Sequence, residues 1–199
     1  MLFRSEKLCE EYRLNPDLPL FSFIGRFAGE KGADMLPDII RRAIQETGGE
    51  LNFIVLGSGN LHLEHVLKEM KKEFHINFAL DLGYKEYLSH KIYASSDFLL
   101  MPSRVEPCGL NQMYAMRYGT IPIVRYTGGL KDTVKDIASG GYGLNYTFPG
   151  VDDAVHAIKR ALYVYMDEEL MKNLRNVMMN LDFSWENSAK KYITLYEKK

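Results

Sequence analysis

The chain has 199 residues, which is enough for one α/β domain with a sizeable core and too few for two. Hydrophobic residues make up 46% of it and charged residues 26%, so the composition is that of an ordinary globular protein and excludes a disordered chain. The net charge of -1 argues against a nucleic-acid partner. No apolar run approaches the roughly 20 residues of a membrane span, which argues against a membrane partner. The sequence also shows no signal-peptide pattern, so we predict a cytoplasmic protein.

The first segment, Met1 to Asn15, predicts a short amphipathic helix that Pro16 ends. From Leu20 onward, continuous apolar runs typical of buried strands alternate with apolar residues at helical spacing. The predicted strands are Leu20 to Gly25, Leu51 to Leu56, Ile76 to Leu80, Asp97 to Met101, Thr120 to Val124 and, more weakly, Gly143 to Tyr146. The predicted helices are Leu36 to Ile44, Leu63 to Met70, Tyr87 to Ser95, Leu110 to Tyr118, Val151 to Leu162, Glu168 to Met179 and Trp185 to Tyr196.

Strands separated by helices of this length indicate β-α-β units with right-handed crossovers. The predicted fold class is therefore α/β, a mostly parallel sheet covered by helices on both faces. No internal repeat or low-complexity segment divides the chain. We predict a single domain over residues 1–199, with helices at its end from 150 to 199.

Two loops after successive predicted strands combine residues that build ligand sites. Glu106-Pro107-Cys108-Gly109-Leu110 follows the strand that ends at Met101, and Thr127-Gly128-Gly129-Leu130 follows the strand that ends at Val124. Glycines between a strand and a helix let the backbone approach an anion, and the amides at a helix N-terminus can bind its charge. Because open α/β sheets bind ligands at the carboxyl ends of their strands, these loops predict a ligand site.

Two cations follow the first predicted strand. Arg26 lies at its end and Lys31 lies in a loop with Gly29 and Gly32, so both can converge on phosphate oxygens. By themselves they fit two ordinary, solvated surface cations better than a phosphate site. Gly57-Ser58-Gly59, after the second strand, is also a weak signal, because a tight strand-to-helix turn needs the same residues.

Together these segments resemble the nucleotide-sugar-binding domain of glycogen and starch synthases, which transfer glucose from ADP-glucose or UDP-glucose to an α-glucan. The resemblance runs in order from about Leu20 to Trp185. A lone GG or GSG would be weak, but EPCGL, TGGL and GR(x)4K at these relative positions form a specific combination. The other matching segments are Gly57-Ser58-Gly59, Gly83-Tyr84 and Phe183-Ser184-Trp185.

The resemblance implies the C-terminal, Rossmann-like half of a two-domain GT-B transferase that extends an α-1,4-glucan with retention at the anomeric carbon. ADP-glucose is preferred over UDP-glucose because EPCGLNQMYAMRYGT looks most like the bacterial and plant enzymes. No cofactor and no metal ion are expected, since the Arg26 and Lys31 pair takes a task often given to a metal. The N-terminal acceptor domain is an expected missing partner, so the chain alone is expected to be inactive.

The resemblance also implies roles for single residues. Arg26 and Lys31 are expected to hold the diphosphate, and Glu106 is expected to bind hydroxyls of the donor glucose. Tyr114 stands where many related retaining transferases carry a second glutamate, and it is expected to contact the nucleoside. The other expected donor-binding residues are Gly57, Gly59, Tyr84, Cys108, Gly109, Leu110, Thr127, Gly128 and Gly129.

Structural alternatives stay open for several of these residues. Glu106 could instead cap the helix beginning near Gly109, because a carboxylate is favourable at a helix N-terminus. Tyr114 could be a core tyrosine. Cys9 and Cys108 show no metal-ligand or redox spacing and are expected to be free thiols. The five histidines share no motif, so each is expected to be a surface or satisfied polar residue.

Other functions also stay open. A sucrose- or trehalose-type retaining transferase would use the same fold, but Tyr114 in place of a glutamate argues against it. A non-catalytic nucleotide-binding module is a rival from another class, against which Arg26, Lys31 and Glu106 count. A dehydrogenase should show GxGxxG after the first strand, where this chain has GRFAGEKG.

Overall fold

A computed structural model describes residues 2–197, with side chains from residue 5 onward. The helices are α1 (Leu2–Tyr12), α2 (Leu36–Glu46), α3 (Leu61–Glu73), α4 (Glu86–Ser95), α5 (Asn111–Tyr118), α6 (Gly128–Thr133), α7 (Val151–Tyr165), α8 (Glu168–Met179) and α9 (Trp185–Glu197). The strands are β1 (Leu20–Phe27), β2 (Asn52–Gly59), β3 (Phe78–Leu82), β4 (Phe98–Met101), β5 (Ile121–Arg125) and β6 (Leu144–Tyr146). Met1, the first residue of the predicted N-terminal helix, lies outside the described residues.

The six strands form one parallel sheet in the order β3-β2-β1-β4-β5-β6. The strand order therefore reverses between β1 and β4, where Phe21 lies opposite Phe98. Loops on the two sides of such a switch point diverge and leave a crevice at the carboxyl ends of the strands. The prediction of a Rossmann-like α/β fold is confirmed, including the weak last strand.

Hydrophobic side chains cover both faces of the sheet, as a parallel sheet requires. The larger cluster includes all four residues of β4 and buried side chains of α2, α3, α5, α7 and α8. The smaller one packs Leu8 and Cys9 of α1 and Ile92 of α4 against Leu20 and Ile54 of the sheet. In contrast, no side chain of α9 is buried.

Several predicted boundaries were wrong by two or three residues. β1 continues to Phe27, so Arg26 lies inside the strand and not after it. β2 continues to Gly59, so Gly57 and Gly59 are ladder residues rather than a strand-to-helix turn. The third strand is shifted towards Leu82. Apolar runs locate a buried strand well, but they do not show how far the hydrogen-bonded ladder extends into small and polar residues.

The amino edge of the sheet is held by a partly buried ion pair. Asp97, just before β4, has its Oδ1 2.7 Å from Nη2 of Arg175 and accepts a 2.9 Å hydrogen bond at Oδ2 from the Leu20 amide. Arg175 also donates from Nε to the Gly119 carbonyl at 3.2 Å. These bonds tie α8 to the starts of β1 and β4 and to the end of α5.

The described helices, all within residues 2–197, include none that is both long and apolar enough to cross a membrane.

Candidate functional site

A cavity of 540 Å³ opens at the carboxyl edge of the sheet, beside the switch point between β1 and β4. This volume lies in the range of about 300–1,000 Å³ that small-molecule sites occupy. Its walls come from the ends of β1 and β2, from the loop after β3 and from α4 and α5. The lining residues are Ile24, Gly25, Arg26, Leu56, Gly57, Ser58, Gly83, Tyr84, Lys85, Glu86, Ser89, His90, Tyr93, Asn111 and Tyr114.

One wall of this cavity is aromatic. Tyr114 of α5 lies 6.0 Å from Tyr93 and 6.4 Å from His90, measured between ring centroids. Burial raises the pKa of the Tyr93 hydroxyl above its usual range. His90 Nδ1 lies 3.1 Å from the hydroxyl oxygen of Tyr118, which fixes one side of the imidazole ring. The wall therefore offers ordered ring faces to a planar ligand.

The two tyrosines predicted to contact the donor both line the cavity. Tyr84 follows Gly83 after β3 and is 89% exposed, whereas Tyr114 is 46% exposed. Tyr114 is thus not a core tyrosine, although its ring is packed on one side. An exposed aromatic side chain at the mouth of a cavity can stack on a ligand ring at little conformational cost.

A smaller cavity of 50 Å³ adjoins the first one and contains the predicted sugar-binding carboxylate. Glu106 is 6% exposed, and its Oε2 accepts hydrogen bonds from Lys31 Nζ at 2.6 Å and from Ser103 Oγ at 3.2 Å. Its Oε1 accepts no hydrogen bond from any residue that the structure describes. The carboxylate therefore keeps half of its hydrogen-bonding capacity for a ligand.

The helix-capping alternative for Glu106 finds no support in this geometry. The carboxylate bonds to two side chains, and within residues 2–197 no backbone amide of α5 donates to it. Instead, the amide group of Asn111, the first residue of α5, donates from Nδ2 to the Ile24 carbonyl at 2.6 Å. That bond fixes the start of α5 against the end of β1.

The predicted diphosphate ligands, Arg26 and Lys31, face neighbouring cavities. Arg26 lines the large cavity; its side chain is 74% exposed and forms a 3.0 Å ion pair with Glu30. Lys31 lines the small cavity and is paired with Glu106. The two cations thus flank the space between the cavities, and Arg26 can change partners at low cost because its surface ion pair is weak.

The predicted phosphate loop packs against the loop that carries Glu106. Thr127, Gly128 and Gly129 line neither of the two cavities. Gly129 donates its amide to the Glu106 carbonyl at 2.9 Å, and a Cβ atom at Gly128 would lie 2.0 Å from the same oxygen. These glycines are required because the loop packs directly under residues 106–108. Their contact with phosphate stays a prediction.

Some of the other predicted donor-binding residues line the two cavities and some do not. Gly57, Gly109 and Leu110 line the cavities, whereas Gly59 and the exposed Cys108 do not. A Cβ at Gly57 would lie 2.1 Å from the Gly25 carbonyl oxygen, so the close approach of β1 and β2 requires glycine there. The Gly59 amide donates to Glu64 of α3 at 3.0 Å, which gives it a structural partner.

Sequence reasoning missed residues that shape the site. His90, expected to be a surface or satisfied residue, lies in the cavity wall, and Tyr93 and Ser103 were not selected at all. His90 and Tyr93 are three residues apart on α4, and Tyr114 and Tyr118 are four apart on α5. These spacings place each pair on one helix face, a signal that points to an aromatic cluster.

The described part of the chain contains no group of three His, Cys, Asp or Glu side chains that could hold a metal ion. The expectation that no metal takes part stays a prediction.

Comparison with known proteins identifies the family and the relatives of this chain. The sequence model of the family described as glycosyl transferases group 1 matches residues 5–177. A glycogen synthase of Flavobacterium johnsoniae is 49% identical over 191 residues, which are 96% of this chain and 40% of that protein. A glycogen synthase of Aquifex aeolicus is 42% identical over 187 residues, 94% of this chain and 39% of that protein.

Among solved structures, the catalytic domain of starch synthase IV from Arabidopsis thaliana, bound to ADP and acarbose, is similar to this chain. It superposes with a TM-score of 0.86 at 37% identity, over 98% of this chain and 42% of that one. The chain thus spans about 40% of the length of the relatives it matches.

Proposed function

We propose, on the premise that the chain belongs to the glycosyl transferases of group 1, that it forms the donor-binding part of a glycogen- or starch-synthase-type enzyme. The proposed reaction transfers glucose from ADP-glucose to an α-1,4-glucan with retention at the anomeric carbon. The observation that carries the proposal is the buried Glu106 carboxylate, which is paired with Lys31 and has one oxygen free in the small cavity that adjoins the cavity of 540 Å³.

The nucleotide sugar fits the two adjoining cavities in one orientation. The nucleoside occupies the large cavity against Tyr84 and Tyr114, and the diphosphate lies between Arg26 and Lys31. The glucose then reaches the small cavity, where the free Oε1 of Glu106 accepts hydrogen bonds from its hydroxyls. Arginine and lysine suit the diphosphate because charge-assisted hydrogen bonds to phosphate are the strong ones.

Fixed cations serve the chemical step as well as binding. As the bond between the anomeric carbon and the diphosphate oxygen breaks, negative charge grows on the diphosphate and positive charge grows on the sugar. Arg26 and Lys31 stabilise the first, and the nearby Glu106 carboxylate stabilises the second. The acceptor hydroxyl bonds to the anomeric carbon on the face that the diphosphate leaves, and its proton passes to the departing phosphate oxygen.

The choice of ADP-glucose is supported by the relative bound to ADP, the starch synthase of Arabidopsis thaliana. The glucan acceptor is supported by the two relatives named glycogen synthases. Because the chain spans about 40% of those proteins, we further propose that the acceptor site lies on a second domain of a longer protein. The chain by itself then binds the donor without transferring glucose.

Two measurements test the proposal. Calorimetric titration of the chain with ADP, UDP and NAD should give binding by ADP, weaker binding by UDP and none by NAD. Incubation of the full-length protein with labelled ADP-glucose and glycogen should incorporate label into polymer, while the 199-residue chain should give only background. Holding two substrates in a closed site accounts for about 7–11 kcal/mol of such a barrier, and half a cleft lacks it.

Two results would contradict the proposal. Preferred binding of NAD would indicate a dehydrogenase, and a full-length protein that binds ADP but transfers no sugar to glucan, sucrose or trehalose precursors would indicate a non-catalytic module. Sustained incorporation of label by the 199-residue chain alone would support the transferase activity, but it would contradict the proposal that a second domain carries the acceptor site.

A further inference from the structure

The two charged groups at the centre of the site come from loops that are distant in sequence. Lys31 lies in the Lys31 loop (residues 28–35), Glu106 lies in the Glu106 loop (residues 102–110), and the two residues are 75 positions apart. Lysine is a flexible chain with a compact charge, so it does not itself fix the separation of the loops. Some other contact must set the distance between the cation and the carboxylate.

Arg104 makes that contact from the outer side of the Glu106 loop. Its guanidinium bonds both oxygens of Asp34, with Nη1 to Oδ1 at 2.5 Å and Nη2 to Oδ2 at 2.8 Å. Nη1 also donates to the Gly29 carbonyl at 2.8 Å. A two-pronged pair of this kind fixes direction as well as distance. The bonds from Arg104 hold the pKa of the Asp34 carboxyl below its usual range.

The backbones of the two loops meet at the same place. The amides of Arg104 and Val105 both donate to the Glu30 carbonyl, at 2.8 Å and 3.1 Å. Glu30 directly precedes Lys31, and Val105 directly precedes Glu106. Gly32 has φ +64, and a Cβ atom there would lie 2.1 Å from the Pro102 carbonyl oxygen. The two loops therefore contact each other through their backbones, and the ion pair between Arg104 and Asp34 adds a side-chain connection at the same place.

The inner side of the Glu106 loop is held separately. Arg125, at the end of β5, donates from Nε to the Ser103 carbonyl at 2.7 Å and from Nη2 to the Arg104 carbonyl. The loop is thus fixed to the sheet by Arg125 and to the Lys31 loop by Arg104. The connection to the Lys31 loop, made by the Arg104 side chain together with the amides of Arg104 and Val105, sets the position of Lys31 relative to Glu106.

We propose that Arg104 and Asp34 are positioning residues that hold Lys31 and Glu106 in register for transfer; this inference rests on the proposed function. The pair does not serve mainly to stabilise the fold, because its side chains are 37% and 56% exposed and exposed ion pairs contribute little stability. A displaced Lys31 loop should cost transfer more than it costs ground-state binding of ADP, because Arg26 also binds the diphosphate, whereas the transition state needs the cation and the carboxylate at once.

The test uses the full-length protein with Arg104→Ala, Asp34→Ala and the double variant. We expect kcat to fall by about 100-fold in each, because a displacement of about 1 Å costs that much. The double variant should be no worse than either single one, since the two side chains act as a unit. KM for ADP-glucose should change little, and Arg104→Lys should restore only part of kcat because lysine lacks the guanidinium fork.

Arg41→Ala is the matched control, because Arg41 forms an ion pair with Glu73 at 3.3 Å that joins α2 to α3 away from both cavities. Both Arg41→Ala and Arg104→Ala should lower Tm by no more than about 2–4 °C. Only Arg104→Ala should change kcat. An Arg104→Ala enzyme that keeps wild-type kcat, or a control that loses as much, would overturn the inference.

Hydrogen exchange gives a readout that does not need the donor. In Arg104→Ala, backbone amides of both loops should exchange faster, whereas exchange in α2 and α3 should be unchanged. Faster exchange together with a wild-type protein that does not use ADP-glucose would overturn the proposed function and the positioning role with it. Faster exchange with wild-type kcat would overturn only the positioning role.

Discussion

Two carboxylates, the partly buried Asp97 and the buried Glu106, lie at opposite ends of β4 and differ in the hydrogen-bonding capacity that they have left for a ligand. Asp97 precedes the strand and Glu106 follows it, and each is paired with a cation, Arg175 at 2.7 Å and Lys31 at 2.6 Å. Both oxygens of Asp97 are bonded, one to Arg175 and the other to the Leu20 amide. Glu106 places both of its bonds on Oε2.

The comparison shows that an ion pair by itself does not distinguish a structural from a functional carboxylate. Desolvation raises the pKa of Asp97, and the surrounding bonds connect elements of the fold. Glu106 has an unused oxygen and a cavity in front of it. What separates the two is free hydrogen-bonding capacity at the edge of the sheet where ligands bind.

The largest expected effect is on stability, at the amino edge. Asp97→Ala leaves the guanidinium of Arg175 without its partner in a largely buried place, so the free energy of unfolding should fall by about 3 kcal/mol. ADP affinity of the folded protein should be unchanged. Denaturant unfolding and calorimetry measure the two quantities. A loss below about 1 kcal/mol would mean that water replaces the pair.

The next effect is on turnover, at the carboxyl edge. Glu106→Ala should lower the turnover of the full-length protein by about 100-fold or more, because the carboxylate acts on charge that develops in the transition state. Its free energy of unfolding should fall by less than that of Asp97→Ala, because the flexible chain of Lys31 can turn its charge towards solvent. A variant that melts several degrees lower with near-normal turnover would instead support capping. Glu106 would then be a structural carboxylate like Asp97.

A smaller effect is expected from the exposed cation of the site. Arg26→Ala should weaken ADP binding by about ten-fold, since a charged hydrogen bond contributes about 1.5–3 kcal/mol. Stability should not change, because Arg26 pairs only with the exposed Glu30 among the described residues. Calorimetry on the chain with ADP measures the change. Unchanged affinity would take Arg26 out of the donor site.

The smallest effect concerns pH and the pair at the outer edge of the site. The folded-state pKa of Asp34 is lowered by its bonds to Arg104, so its contribution to stability is present above the ordinary aspartate pKa of about 4 and is lost as pH falls through the lowered value. The difference in unfolding free energy between wild type and Asp34→Asn should stay below about 1 kcal/mol at neutral pH and vanish in acid. A difference that grows in acid would have the wrong sign.

The order of strands and helices could be predicted from the sequence because apolar runs and helical spacings are local properties. The choice of Glu106, Lys31 and Arg26 came from short motifs at or just after the ends of strands, whose combination resembles glycogen and starch synthases. Distances across the sheet are not local. That the Glu106 carboxylate meets Lys31, and that His90 faces Tyr114, depends on how α4, α5 and two loops pack at the switch point.

The glycine loops show the limit most clearly. From sequence alone, Gly57, Gly59, Gly128 and Gly129 predict backbone that approaches a ligand, since glycine permits close approach whatever the neighbour is. Tertiary structure shows that the neighbour of Gly57 is β1 and that of Gly128 and Gly129 is the Glu106 loop. The sequence determined where the chain comes close to something. Only the tertiary packing decided which neighbour lies against each glycine, because a glycine shows that there is no room for a Cβ atom and does not show which atom occupies that space.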